Sequence, residues 1–220
     1  HLHFRLQSNT VTIKAGENRA DVMVHGYYDN LEATDSLGFQ LRLVMNDNLV
    51  MPLYGKDTKA VLMKSCPFDI NDFTGYCMLT SMFLYEYSIT GRYQRLIYTE
   101  KHPTEENTII CRNWLNDGYD VTMKFMADDP MKPFVVMDEG QVATDEGSFF
   151  GTVHGDDKIQ VRTSAYYDSV YYPCGSYLYV WTEMYVENLG VPVGTVGHFY
   201  NIMEWVSDEE ADRLKKEEGM

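Results

Sequence analysis

Polar and apolar residues alternate with a period of two along most of this chain, in short runs broken by turn-forming residues. That repeat is the mark of half-buried antiparallel strands. Phe39, Leu41 and Leu43 share one face against Gln40, Arg42 and Val44. Tyr119, Val121, Met123 and Phe125 oppose Asp120, Thr122, Lys124 and Met126. Ile159 and Val161 oppose Lys158, Gln160 and Arg162. A chain patterned this way can hide its apolar faces only by stacking sheets or by rolling one sheet up.

Two β-rich regions are expected, with a break at residues 64–71. The first holds alternating segments at Leu2-Phe4-Leu6, at 11–14, at Ala20-Val22-Val24, at 39–44 and at 61–63, with a polar loop over 29–36 and a turn at 15–18. Four or five strands in so short a stretch make a small sandwich. The chain opens inside a strand pattern, so part of this domain is expected upstream of His1. In the second region the expected strands are 76–85, 93–100, 108–112, 119–126, 134–138, 148–153, 158–165, 177–186 and 194–202. Asn116-Asp117-Gly118, Asp128-Asp129-Pro130, Gly155-Asp156-Asp157 and Asn188-Leu189-Gly190 carry turn chemistry between them. Eight or nine sequential strands remove their edges by closing into an up-and-down barrel. The fold class is therefore all-β: a small sandwich over 1–66, then an antiparallel β-barrel with a short C-terminal helix over 67–220. Ser207 caps that helix, with Glu210 completing a capping box and Val206 stapling onto Ala211. Its acidic first turn and Lys215-Lys216 complement the dipole. The expected i,i+4 pairs are Glu209 with Arg213 and Asp212 with Lys216.

Composition excludes several functions. The formal charge of −15 disfavours nucleic acid, which needs a basic face. No apolar run is long enough for a membrane-spanning helix. No nucleophile elbow, P-loop or dinucleotide fingerprint occurs. The six histidines lack metal-ligand spacing, and Asp69, Asn71 and Asp72 make only a fragment of a calcium loop. No metal and no cofactor is expected. Gly194-Thr195-Val196-Gly197 sits in a strand pattern, where glycines allow close approach or bend a barrel strand. The cysteines, Cys66, Cys77, Cys111 and Cys174, form no C-x-x-C pair and allow three full pairings. Most are expected as buried free thiols.

The densest chemical feature is aromatic. Eight of the twenty residues over 166–185 are tyrosine or tryptophan. In the strand at 177–186, Tyr177, Tyr179, Trp181, Glu183 and Tyr185 fall on one face, and these are the candidate ligand-binding residues. Such rings suit sugars or apolar ligands, because they join flat area to a polar handle. The competing reading is that they fill the barrel or cover a domain interface. Desolvation would raise the Glu183 pKa, making it a candidate to orient a ligand hydroxyl or act as a general acid. Pairing with Arg92 or Arg95 is its structural alternative and carries more weight.

Three groups of residues carry a resemblance. Residues 11–18, with the following strand and Tyr27-Tyr28-Asp29, resemble the end of an N-terminal immunoglobulin-like domain of uncharacterised Bacteroidetes lipoproteins. Residues 68–75 through 204–210 resemble their lipocalin-like second domain. Asn116-Asp117-Gly118-Tyr119-Asp120-Val121 and Gly194-Thr195-Val196-Gly197 add to the match. The resemblance implies export, a lipid anchor upstream of His1 and display on the cell envelope, outer membrane-anchored. The membrane would be met only through that anchor. The expected function is non-enzymatic binding of a small molecule or glycan by an aromatic-rich barrel. The alternatives are a structural or protein-partner subunit of an outer-membrane assembly, and a barrel enzyme using a buried carboxylate.

Overall fold

The computed structural model describes residues 2–17, 19–32, 35–44, 56–64, 66–130, 132–187, 194–217 and 219. They form two compact units, His1–Ser65 and Cys66–Met220. The turn expected at 188–190 lies outside the described residues.

In the first unit, β1 (Phe4–Leu6) pairs antiparallel with β2 (Val24–Gly26), and β3 (Ser36–Arg42) with β4 (Asp57–Met63). Strict alternation makes β3 two-faced: Leu37, Phe39 and Leu41 are half-buried, while Ser36, Gly38, Gln40 and Arg42 are exposed. The Phe4 ring stacks on Phe39 at 4.7 Å and ties the two ribbons together. Among the described residues, 11–14 join no ladder, and the strand expected from Ala20 shortens to Val24–Gly26. Val11 and Ile13 are 45% and 55% exposed. Alternation had marked an extended segment, but a strand also needs a hydrogen-bonded neighbour.

The second unit is a closed antiparallel barrel of eight strands. In chain order its strands are β5 (Gly75–Ser81), β6 (Gln94–Lys101), β7 (Thr108–Arg112), β8 (Val121–Met126), β9 (Phe134–Val136), β10 (Gln141–Asp145), β11 (Lys158–Thr163), β12 (Val170–Tyr172), β13 (Tyr177–Val186) and β14 (Gly194–Trp205). The circuit runs β5–β6–β7–β8–β9–β12–β13–β14 and returns to β5. Closure spans Asn201↔Ser81 to Trp205↔Cys77. The β10–β11 hairpin is an insertion. It occupies the edge of β13 from Thr182 to Tyr185, while β12 takes Tyr177 to Tyr179. A register shift between β13 and β14 leaves Val196 between Gly197, opposite Met184, and Thr195, opposite Tyr185. This bulge beside a glycine bends the strand.

Two expected strands are corrected. After Ser81 the chain turns into helix α1 (Met82–Tyr87), because Phe83 and Leu84 are consecutive and both buried, which a pleat cannot arrange. Phe83 meets Tyr87 one turn later, with ring centroids 5.1 Å apart. The strand expected at 148–153 is instead helix α2 (Glu146–Phe150) and the turn after it. Asp145 Oδ1 accepts the Ser148 N–H at 2.7 Å, and Gly151 ends the helix in the left-handed region at φ +66. β10 and β12 were not expected as strands.

Side chains fill the barrel. Leu79, Ile97, Ile109, Met123, Val180 and Met184 are buried along its length. Aromatic clusters close both ends. At the start of β5, the Phe73 ring contacts Phe68, Phe125, Tyr171 and Trp205. There the Trp205 indole donates to Thr99 Oγ1 at 2.9 Å. At the far end, Phe83 contacts Tyr87, Phe149, Phe150 and Phe199.

The cysteines divide evenly, against the expectation that most would be free. Cys66 and Cys174 form a disulfide. Cys77 and Cys111 are buried free thiols, and burial pushes both thiol pKa values up. Helix α3 (Asp208–Glu217) follows β14, with Ala211 and Leu214 buried. Ser207 Oγ accepts the Glu210 N–H at 3.2 Å. The ion pairs differ from those expected: Arg213 bonds Glu210 and Glu217, and Lys215 faces Asp212.

Candidate functional site

Strand β13 has two faces, and the structure decides which one is inside. Leu178, Val180, Met184 and Val186 belong to the barrel core. Tyr177, Tyr179, Trp181, Glu183 and Tyr185 therefore face outward. The lumen is aliphatic where these rings were expected to line or plug it.

The outer face forms one continuous aromatic strip across β12, β13 and β14. Tyr172 stacks on Tyr177 at 4.6 Å. Tyr177 meets Tyr179 at 5.7 Å, and Tyr179 stacks on Tyr200 at 5.4 Å. Trp181 packs against Tyr200, its register partner, at 5.2 Å. Tyr167 stacks on Trp181 at 4.3 Å, and both Tyr166 and Tyr167 flank His198. Cross-strand pairs of this kind stabilise a sheet face, so the strip supports its wall as well as presenting rings to water.

A local gap places the outermost rings. β11 leaves β13 after Thr182, and β12 joins it only at Tyr179. Between them the backbone of Trp181 is satisfied by the connecting loop. Its N–H donates to Ser169 Oγ at 2.9 Å, and its carbonyl accepts the Ser164 N–H at 2.9 Å. The loop between those serines carries Tyr166 and Tyr167 over Trp181, with exposures of 77% and 50%. Ser164 Oγ lies 3.1 Å from His198 Nδ1. Burial pushes the Tyr200 pKa up to about 12, so this phenol stays neutral and able to donate.

The five expected residues separate into two groups. Tyr177, Tyr179 and Trp181 are half-buried within the strip. Glu183 and Tyr185 are locked into structure. Arg162 Nε donates to Glu183 Oε2 at 2.9 Å, Thr195 Oγ1 donates to Oε1 at 3.3 Å, and the same guanidinium bonds Glu139. The partner of Glu183 is thus Arg162, on the adjacent β11, and not Arg92 or Arg95. Its hydrogen bond, aided by charge attraction, holds the Glu183 pKa below the usual carboxylate range despite burial. This reverses the expected upward shift and leaves no proton for a general acid at neutral pH. Tyr185 is 0% exposed. Its hydroxyl accepts the Gly140 N–H at 2.9 Å, and Arg162 covers its ring at 4.7 Å.

Sequence reasoning missed Tyr200, which its register opposite Trp181 could have revealed. It grouped Tyr171 with the strip's neighbours, whereas this ring is buried in the core. Asp69 accepts the Asn71 N–H at 2.9 Å and caps the turn Ile70–Phe73, a structural task. Among the described residues, no group of three or more His, Cys, Asp or Glu side chains is placed to hold a metal ion.

A family model described as a domain of unknown function, DUF4984, matches residues 53–217. The chain belongs to this family. The DUF4984 match takes in β4 and the whole closed barrel, including the aromatic strip. No curated protein and no solved structure matches the chain.

Proposed function

We propose that this DUF4984 protein is a non-enzymatic binding module of the cell envelope that captures a glycan on the outer wall of its barrel. The strip from Tyr172 through Tyr179, Tyr200 and Trp181 to Tyr167 carries this reading. It offers ring edges, an exposed ring face at Tyr167 and a row of hydroxyls, the mixture that sugar rings use for stacking and hydrogen bonding. The packed lumen and the Arg162-bound Glu183 weigh against the barrel enzyme. The disulfide between Cys66 and Cys174 supports export, since such bonds persist in oxidising compartments. Among the described residues no helix is long and apolar enough to cross a membrane.

The test is tryptophan fluorescence during titration with a panel of neutral oligosaccharides, with Trp181→Phe as the control. A saturable change in the wild type that Trp181→Phe abolishes supports the reading. A flat response across the panel overturns it. A second reading follows from the filled lumen beside an exposed aromatic surface: a protein-partner subunit of an outer-membrane assembly uses the same strip, because tyrosine and tryptophan also dominate protein interfaces. Co-purification that Tyr167→Ala disrupts, with no glycan response, favours that second role.

A further inference from the structure

The opposite side of the closure seam holds a second site, independent of the aromatic strip. An open groove of about 680 Å³ runs along the outside of β6 to the end of the barrel covered by α1 and α2. Its size lies in the range of small-ligand sites. The floor is formed by Leu96 and by Tyr76 and Tyr98, whose rings meet edge to face at 5.2 Å. Ser88, Thr90, Gln94 and Asn116 add neutral hydrogen-bonding groups along the walls.

Charge distinguishes this groove from the rest of the chain. The protein carries −15, yet the lining holds Arg92, Arg95, Arg112 and Lys215 against a single carboxylate, Asp117. Three of these cations are occupied. Arg112 is bound by Glu100 and Asp120, and Arg92 donates to the Gly219 carbonyl at 2.9 Å. Lys215 sits 3.7 Å over the Tyr76 ring and 3.6 Å from Asp212. Arg95 is arranged differently. Its side chain is 29% exposed, and Nε donates to the Asn113 carbonyl at 2.9 Å, which fixes the plane of the guanidinium. Nη2 meets Asp117, and among the described residues Nη1 has no acceptor. Asp117 is itself 86% exposed, so the pair is a weak surface contact that a competing anion can displace. A guanidinium held in place with one outer edge open is suited to a bidentate carboxylate.

We propose that this groove binds a carboxylate-bearing sugar, with the carboxylate on the Nη1–Nη2 edge of Arg95 in place of Asp117, toward the barrel end, and the rest of the ligand along Leu96 and the exposed Tyr98 ring. Arg95 accounts for the acid, Leu96 and the exposed Tyr98 ring for an apolar surface, and the hydroxyls and amides for a polyhydroxylated ligand.

Isothermal titration of the full chain with tri-galacturonate and with its methyl ester tests the proposal. The acid should bind at least tenfold tighter than the ester, and more weakly as salt rises. Arg95→Gln should weaken binding of the acid at least tenfold, and Asp117→Asn, which removes the competing carboxylate, should tighten it severalfold. Thermal melts confirm that each variant is folded. Trp181→Phe should leave this binding unchanged, which separates the groove from the strip. Equal affinity for acid and ester, wild-type affinity in Arg95→Gln, loss in Trp181→Phe, or no heat at millimolar ligand would each overturn it.

Discussion

The Cys66–Cys174 disulfide gives the sharpest stability prediction. The two cysteines are 108 residues apart in sequence, so the bond ties the first residue of the barrel unit to the turn between β12 and β13. A cross-link of that span restricts the unfolded chain far more than the folded one. In the chain-entropy account the loss on opening a loop of this length is about 4.7 kcal/mol. Against a total stability of about 5–15 kcal/mol for a typical domain, that is a third or more of the margin. At roughly 2–4 °C per kcal/mol for a domain of this size, the melting temperature should fall by roughly 10–20 °C. In urea, with a slope near ~2 kcal/mol/M, the midpoint should drop by about 2 M. The assay compares the oxidised protein, the same protein in reductant and the Cys66→Ser/Cys174→Ser variant by circular dichroism. The reduced protein and the variant should coincide. Thiol titration in denaturant without reductant should count two groups, Cys77 and Cys111. Melting of both altered forms within about 3 °C of the oxidised protein would refute the entropic argument, and a count of four thiols would refute the bond.

Other expectations follow from the barrel and its wall. Phe73 is fully buried at the centre of the aromatic cluster closing one end, so Phe73→Ala should cost about 3–5 kcal/mol in urea denaturation. A Cβ at Gly197 would lie 2.9 Å from the Phe199 ring, so Gly197→Ala should destabilise by about 1–3 kcal/mol unless that ring moves aside. Arg162 lowers the folded pKa of Glu183 below its ordinary value. The stabilisation is therefore present in full above the usual carboxylate range and is lost as pH falls through the depressed folded value. Glu183→Gln should cost roughly 1.5–3 kcal/mol at pH 7. Denaturation repeated in acid should show the difference from wild type shrinking, and an unchanged difference there would contradict the pairing.

In the barrel unit, strands were legible where alternation met turn chemistry, whereas residues 11–14, which show both, form no strand. The strands at 108–112 and 177–186 were expected with the limits they have, and the closed barrel followed from the need to remove edges. The errors share a physical cause. Over 82–85, and again at Phe149-Phe150, consecutive apolar residues lie in expected strands, although neighbouring side chains on one strand point to opposite faces. In a short helix two such residues can both reach the barrel end, and here they close it. β12 has three residues and a single register pair to β9, too little for any periodic signal. The disulfide was out of reach for another reason: spacing along the chain says nothing about which cysteines approach when a sheet rolls up.

The orientation of β13 was the decisive uncertainty, and chemistry rather than periodicity resolves it. Both faces are apolar enough to be buried, so alternation divides them without choosing between them. The choice turns on the hydroxyls. Packed into a closed eight-stranded interior, Tyr177 and Tyr179 would each bring a phenol needing a buried partner, and an unmet hydrogen bond there costs about 1–3 kcal/mol. Leu178, Val180 and Met184 bring no such demand. The interior does admit polar side chains whose donors the sheet can satisfy, although Asn201 Oδ1 has no partner among the described residues. Thr182 donates to the Phe199 carbonyl at 3.2 Å, and Asn201 donates to Thr182 at 3.1 Å. Tyr171 enters the core at the barrel's end, among other rings, and burial raises its pKa. A tyrosine-rich strand in a small barrel should thus turn its phenols outward along its length and admit them inside only at an end. By that rule a row of tyrosines on a central strand marks an outer surface, and any ligand that uses these rings meets the barrel from outside.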